Sequence, residues 1–473
     1  MLPAARLLAV ASLLVAAGSA VAEDPLPADV AAMHPEGKWK IRKADLYRYL
    51  ARYESAQPEA LAVLPEYMKM RLVEDEAKRR GIGATEAEVD RWLRDLDEQL
   101  KKSGQSLDDY CKGYGMRKEE LRRKGRQWVL MRNLAGAILK EKDPSRGDAP
   151  VSDDSIIFVV DTLYKNAKKE TEGLPEGVVA RINGIEITEY EYGRALAIEM
   201  PKMNVYRALR GLILTEEAAL LLGDRNPPSD EELEAQRKWY LDMEKARIRR
   251  SMPNAPDEIT DDMVDQVLKN RGLTLADVLK NPVFQAQARV MDHFRKSLTV
   301  DDLRAYFADH KDAYSERLRV ARILVGARAQ DVPQVGKTIR TPEQGRKESD
   351  EIYDRLKSGE DFEKLAREKS EDPDQIKQAG GVVPFWINGA TPGYTDTFKQ
   401  AEKLGTNDIS KPFFSEGRGY VIVKLLDRKP APTYEEVQES IRADAANEAY
   451  AKWRKECSSA ARINDDLFED AAK

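Results

Sequence analysis

The chain has 473 residues, 77 basic against 83 acidic side chains, a net charge of −6, and 34% charged residues. Its basic clusters, such as RKEELRRKGR from Arg117, interleave acids at helical intervals, which argues against a nucleic-acid partner. Two cysteines and three scattered histidines, His34, His293 and His310, argue against a metal centre.

At the amino terminus, Arg6 precedes the apolar run LLAVASLLVAA, and SAVA follows before Glu23. This is the pattern of a secretory signal peptide over residues 1–22. Its apolar core, Leu7 to Ala17, is too short to span a bilayer, and no later segment approaches the ~20 apolar residues a spanning helix needs. Removing it takes away one basic residue, so the mature chain carries 76 basic and 83 acidic groups, a charge of −7. At roughly 150 residues per domain, about three domains follow. Apolar residues recur at helical spacing through most of the chain, so long solvated helices account for the high charge better than disorder does.

Residues 23–140 read as a helical segment. Val73 and Ala77 share a face, Gly81 supplies a left-handed stop, and Thr85 with Glu88 forms a capping box. The next helix buries Val89, Trp92, Leu93, Leu96 and Leu100, whose offsets fit a 3.6-residue period. Residues 141–178 read as a linker, opened by EKDPSRGDAPVSDD. Within it SIIFVVDTL is apolar and short, and periodicity leaves a strand and a buried helical turn both open.

Residues 179–315 read as a second helical segment that repeats the first. WKIRKADLYRYL, from Trp39, is echoed at the same spacing by IEITEYEYGRAL, from Ile185. GMRKEEL from Gly115 lines up with GLTLADV from Gly272, and Ser229 with Glu232 matches Thr85 with Glu88. Cys111 and Cys457 lie on predicted helices far apart in sequence and read as unpaired, partly buried thiols in preference to a disulfide.

From about Leu318 the pattern changes. RVARILV, Arg319 to Val325, alternates as a strand; helices follow from Pro342 to Lys357 and in DFEKLAREKS. GYVIVKLLD, from Gly419, is a second strand, and a charged helix runs from about Tyr434 to Ser458. The β-α-α-β order over residues 316–429 predicts a compact domain with a small antiparallel sheet, and residues 430–473 a C-terminal helix. The fold class is therefore α+β, mainly helical segments with one small mixed domain.

RILV, SGEDFEKLAREKSEDP, AGG, Leu404-Gly405 with Ile409-Ser410, and GYVIVKLL resemble successive motifs of the parvulin-type peptidyl-prolyl isomerases. The helical segments resemble, through caps and apolar spacing, the chaperone portion of SurA-like and PrsA-like secreted foldases. Parvulins typically have a histidine where this chain has Arg322, and a second in the last strand, where it has Val421. No histidine follows His310. The third polar position falls at Asp372, and the family's Gly-Gly-Asp-Leu-Gly becomes Gly380-Gly381-Val382-Val383-Pro384. By motif position Val383, Ala390, Tyr394 and Phe398 would line an apolar proline slot together with Val421, Ala390 standing where a larger methionine is frequent.

Arg322 shares a strand face with Val320 and Leu324, an unusual place for a charge. One reading pairs it with Asp372, leaving a polarising, catalytic group beside the slot. The plainer reading, a guanidinium snorkelling to the sheet edge to meet any nearby acid, is preferred of the two. Prolyl isomerisation breaks no bond and needs neither nucleophile nor cofactor, so none is expected.

The resemblance implies a periplasmic or extracellular folding factor, exported across the inner membrane. Its partners would be unfolded or proline-containing polypeptides of the cell envelope, with no nucleic acid, metal or membrane anchor in the mature chain. Isomerase activity would be weakened by the missing histidines. The alternative is a non-catalytic chaperone or structural envelope-assembly protein that uses a degenerate parvulin domain.

Overall fold

A computed structural model of the chain describes residues 26–114, 116–147, 149–251, 259–270, 272–327, 340–464 and 467. The expected signal peptide over residues 1–22 lies outside the described residues. Among the described residues two compact units emerge, one from residues 26–293 with 451–467, the other from residues 294–450. Among the described residues no helix is long and apolar enough to cross a membrane.

The first unit is built around two hairpins, each running into a helix. Strands β1 (Val30–Met33) and β2 (Lys40–Arg42) pair antiparallel and lead into α1 (Lys43–Tyr49). Arg462–Ile463, near the other end of the chain, pairs with the free side of β1. Strands β3 (Val178–Ile182) and β4 (Ile185–Thr188) lead likewise into α2 (Glu189–Glu199). Asn183 and Gly184 make the turn between β3 and β4 with positive φ at both, the Asn-Gly solution for a two-residue hairpin.

The sequence echo is visible in this geometry. Arg42 with Asp45 and Thr188 with Glu191 are equivalent positions: Asp45 accepts the Arg42 N–H at 3.0 Å and Glu191 the Thr188 N–H at 2.9 Å, and at the second the Thr188 hydroxyl completes a capping box. Ile41, Leu46 and Leu50 are buried, as are their counterparts Ile187, Tyr192 and Leu196. All six belong to one apolar core. The segments expected separately at 23–140 and 179–315 thus bury their hairpin-helix faces against each other, because neither short hairpin with its helix covers enough apolar area alone.

Residues 141–178 hold more than a linker. Ser152 accepts the N–H of Ser155 and starts a helix over Asp153–Asn166. Ile156, Val159 and Val160 pack with Val73, Ala77, Leu134 and Ala135. The run SIIFVVDTL is therefore helical, with Ile157 and Phe158 on its exposed side.

The expected helix with the Thr85–Glu88 box runs Glu86–Lys102. Val89 and Leu100 are buried and the rest of its apolar stripe is half-buried. Trp92 fills a notch at Gly125 of the helix Lys118–Lys142, where a Cβ would come within 2.5 Å of the indole. Cys111 and Cys457 are both free and buried.

In the second unit, β5 (Arg317–Gly326), α3 (Pro342–Lys357), α4 (Phe362–Lys369), α5 (Thr395–Ala401), β6 (Phe413–Ser415) and β7 (Gly419–Lys429) follow in order. The sheet is antiparallel, ordered β5-β7-β6. Along the other side of β5 the chain from Val382 to Ile387 makes isolated bridges to Ala321 and Leu318. Strand β6 and helix α5 are additions to the expected β-α-α-β plan, both too short to show a period in sequence. The C-terminal helix spans Tyr434–Ala460.

A bulge between Arg319 and Val320 sets the phase of β5. Beyond it Ala321, Ile323 and Val325 meet Ile352 and Leu356 of α3 and Phe362, Leu365 and Ala366 of α4. On the opposite face Leu318, Val320, Val423 and Leu425 meet Val383, Ile387, Tyr394, Phe398 and Ala401. Alternation places Arg322 on this second face.

Candidate functional site

The site is assembled where the chain returns past β5. Gly380 and Gly381 take φ of +68° and +87°, and the Arg322 N–H donates to the Gly381 carbonyl at 2.9 Å. A Cβ on Gly381 would lie 2.5 Å from the Arg322 carbonyl oxygen, so only glycine lets the chain pass this close.

Arg322 does not reach the sheet edge. Its guanidinium meets the Asp372 carboxylate, Nη2 donating to Oδ1 at 2.5 Å and Nε at 3.1 Å, with side-chain exposures of only 2% and 0%. The snorkelling reading is thereby overturned: Arg322 sits mid-strand, and the nearest acid is presented from beneath rather than from solvent. Ser370 fixes that acid. Its hydroxyl donates to Asp372 Oδ2 at 3.3 Å while accepting the N–H groups of Asp372 and Leu324 at 3.2 and 3.1 Å.

The other side of the guanidinium lies on an aromatic ring. Arg322 Cζ is 4.3 Å from the Tyr394 centroid, and Nη1, which has no hydrogen-bond partner, is buried. A desolvated cation–π contact is worth about 2 kcal/mol or more. Burial holds the Tyr394 hydroxyl above its usual pKa, with Arg322 pulling the other way.

This arrangement changes the expected slot. Val383, Phe398 and Val421 are 0%, 5% and 0% exposed and belong to the packed interior. Tyr394 is 8% exposed, covered by Arg322 on one side, so of the expected wall only Ala390 faces solvent freely. Arg322 lies over one face of the Tyr394 ring and Arg418 is near it as well.

Two residues not anticipated from sequence form the outer surface. Phe385, 46% exposed, stands edge-on to Tyr394 at 5.3 Å. Arg418, from the β6-β7 hairpin, lies 5.7 Å over the same ring. The run PFW beside the glycine pair was the one signal for Phe385; Arg418 had none. No group of His, Cys, Asp and Glu suited to a metal occurs among the described residues.

Sheet, glycine pair and polar pair together define a parvulin-class domain, and residues 329–427 match the rotamase family of PPIC-type PPIase domains. The chain carries such a domain; Asp372 and Val421 fall within the matched residues and Arg322 just before them. More widely, the chain is similar to Foldase protein PrsA 2 of Bacillus cereus, 29% identical over 190 residues, which are 40% of this chain and 56% of that protein. It is also similar to Foldase protein PrsA 3 of Bacillus anthracis, 27% identical over 293 residues, 60% of this chain and 81% of that one. The chain thus spans little more than half the length of the first of these relatives. Among solved structures, a PrsA peptidylprolyl isomerase from Bacillus anthracis is 23% identical and covers 54% of this chain and 94% of its own, with a TM-score of 0.28.

Proposed function

We propose that the protein is an extracytoplasmic folding factor that holds unfolded exported polypeptides, and that its PPIC-type domain contributes a binding surface with little isomerase turnover. The observation that carries this reading is the Arg322 guanidinium, paired with Asp372 and lying over Tyr394 inside the domain.

Prolyl isomerisation requires an enzyme to favour the twisted imide over its planar forms, against a barrier of ~18–20 kcal/mol. Two things serve that end: an apolar slot that takes the proline ring and a polar group free to act on the imide. In this reading the guanidinium over Tyr394 takes the place of a proline ring, and it is bound to its own carboxylate. Freeing it would leave Asp372 buried and unpaired, which costs about 3–5 kcal/mol. Arg322 and Asp372 accordingly act as structural groups, with Ala390, Phe385 and Arg418 left to touch a client.

The leader-like residues 1–22 and the similarity to foldases support export, with the periplasm of a double-membraned cell as the simplest destination. The test is suppression of aggregation of a urea-unfolded outer-membrane protein by the chain from Glu23 onward. Near-stoichiometric suppression is expected. A chain that leaves aggregation unchanged yet accelerates proline isomerisation would make it an enzyme instead.

A further inference from the structure

Two guanidinium groups face the Tyr394 ring, and only one of them has a carboxylate. Arg322 is bound to Asp372, whereas Arg418, half-buried, makes no ion pair or side-chain hydrogen bond among the described residues. Acids of the neighbouring segments are engaged elsewhere. Glu371 pairs with Arg340, and Asp396 accepts the Ser415 hydroxyl at 3.0 Å. Glu416, on the same hairpin as Arg418, is exposed and forms no ion pair.

The backbone fixes where the free charge stands. The Arg418 N–H donates to the Ser415 carbonyl at 3.1 Å, and the Arg418 carbonyl accepts from Ala327 at 3.4 Å. Gly393, with φ of +74°, passes the guanidinium so closely that a Cβ would collide with Nη2. Ordering an arginine side chain costs up to about 2 kcal/mol of rotamer freedom. Its one aromatic contact, at 5.7 Å from the ring centroid, is near the ~6 Å limit of a cation–π attraction and offsets little of that.

Around this charge, unspent side-chain groups are donors. The Tyr394 hydroxyl makes no hydrogen bond among the described residues, and Arg322 Nη1 is buried without one. The Asp372 oxygens are already taken by Arg322 and Ser370. The charges acting on the Tyr394 hydroxyl are those of Arg322, Asp372 and Arg418, two positive against one negative. Phe385 adds an exposed apolar face, its ring 5.3 Å from that of Tyr394. One surplus positive charge suits a monoanion, and a guanidinium fork matches the two oxygens of a carboxylate.

We propose that the mouth of this domain binds a carboxylate, held by the Arg418 guanidinium and the Tyr394 hydroxyl, with the side chain beside it resting on Phe385. The site then selects acidic segments or free chain ends, a chemistry distinct from the apolar proline slot. The inference rests on the reading of the PPIC-type domain as a binding surface and gives that surface a ligand class.

The experiment uses the chain from Glu23 onward and three dye-labelled heptapeptides of Gly and Ser around one Phe. The first is end-capped with Asp after the Phe, the second end-capped with Asn there, and the third ends in Phe with its carboxylate free. Anisotropy titrations should show the first, the third or both binding at least about threefold tighter than the Asn peptide. Which of them does so tells a side-chain carboxylate from a chain end. Arg418→Gln should erase the preference and leave the Asn peptide's affinity as it was. Should that variant fail to melt cooperatively, Tyr394→Phe, which keeps the ring and loses only the hydroxyl, decides, with the preference falling by about half.

Equal binding of all three peptides by the parent, binding of none, or a preference that survives in the folded variant overturns the carboxylate site. The aggregation assay on the same proteins separates this from the broader reading. If the parent suppresses aggregation but does not tell Asp or a free end from Asn, the site is wrong and the folding-factor reading stands. If the parent fails to suppress aggregation while the preference is present and lost in Arg418→Gln, the site survives and the broader reading falls.

Discussion

Gly193 in α2 lies against the backbone carbonyl of Tyr47 in α1, and Tyr47 is the residue with which Gly193 aligns in the internal repeat. The two copies cross at equivalent positions, so their close approach depends on one of them lacking a side chain. Gly193→Ala should push α1 and α2 apart and lower stability by about 1–3 kcal/mol, as overpacking of a close contact does. A urea midpoint equal to that of the parent would show that the helices do not meet as described.

The Arg322–Asp372 pair gives a second expectation. Arg322→Met keeps length and apolar volume but leaves Asp372 without its partner in the interior, so unfolding free energy should fall by about 3–5 kcal/mol. Adding Asp372→Asn should recover part of that loss, a coupling that a double-mutant cycle reads directly. Additive effects would mean that the two side chains act independently.

The buried thiols predict a pH dependence. Burial raises the Cys457 pKa to about 12, with Glu217 adding in the same direction, and burial also raises that of Cys111. The folded chain then holds these protons more tightly than the unfolded chain, where a thiol titrates near ~8.5. Their contribution is complete below that pH and is lost as pH rises from there toward 12. Cys457→Ala should therefore flatten the fall in stability between about pH 9 and 11, measured by urea unfolding at several pH values. Labelling by a thiol reagent at pH 8 should be slow in the native chain and fast in denaturant; equal rates would contradict the burial.

The capping boxes give a smaller effect. Thr188 accepts the Glu191 N–H while Glu191 accepts the Thr188 N–H at 2.9 Å. Thr188→Ala should cost about 1 kcal/mol. An unchanged melting temperature would place the start of α2 elsewhere.

Much of this architecture is legible in the residues. Thr85 with Glu88, Gly81, and the alternation of RVARILV and GYVIVKLL specify local structure whatever surrounds them. The helix Asp153–Asn166 was not legible, because Ile156 to Val160 are all apolar and hide the period that burial of Ile156, Val159 and Val160 imposes. The fate of Arg322 was not legible either. Asp372 and any nearby acid were both open as its partner, and the choice depends on Ser370 and the glycine pair that set the chain beside the strand. Of the residues named for the slot, Val383, Tyr394 and Phe398 share one apolar cluster, and sequence could not tell a lining wall from a packed core.

The most direct measurement is the rate of cis/trans isomerisation of a proline tetrapeptide in the presence of the chain from Glu23 onward. With Arg322 held over Tyr394 by Asp372, relaxation should stay near its uncatalysed time, on the order of 10–100 s at 25 °C. A tenfold or greater acceleration at about one enzyme per hundred peptides, abolished by Asp372→Ala, would contradict the filled site and make this domain a working isomerase.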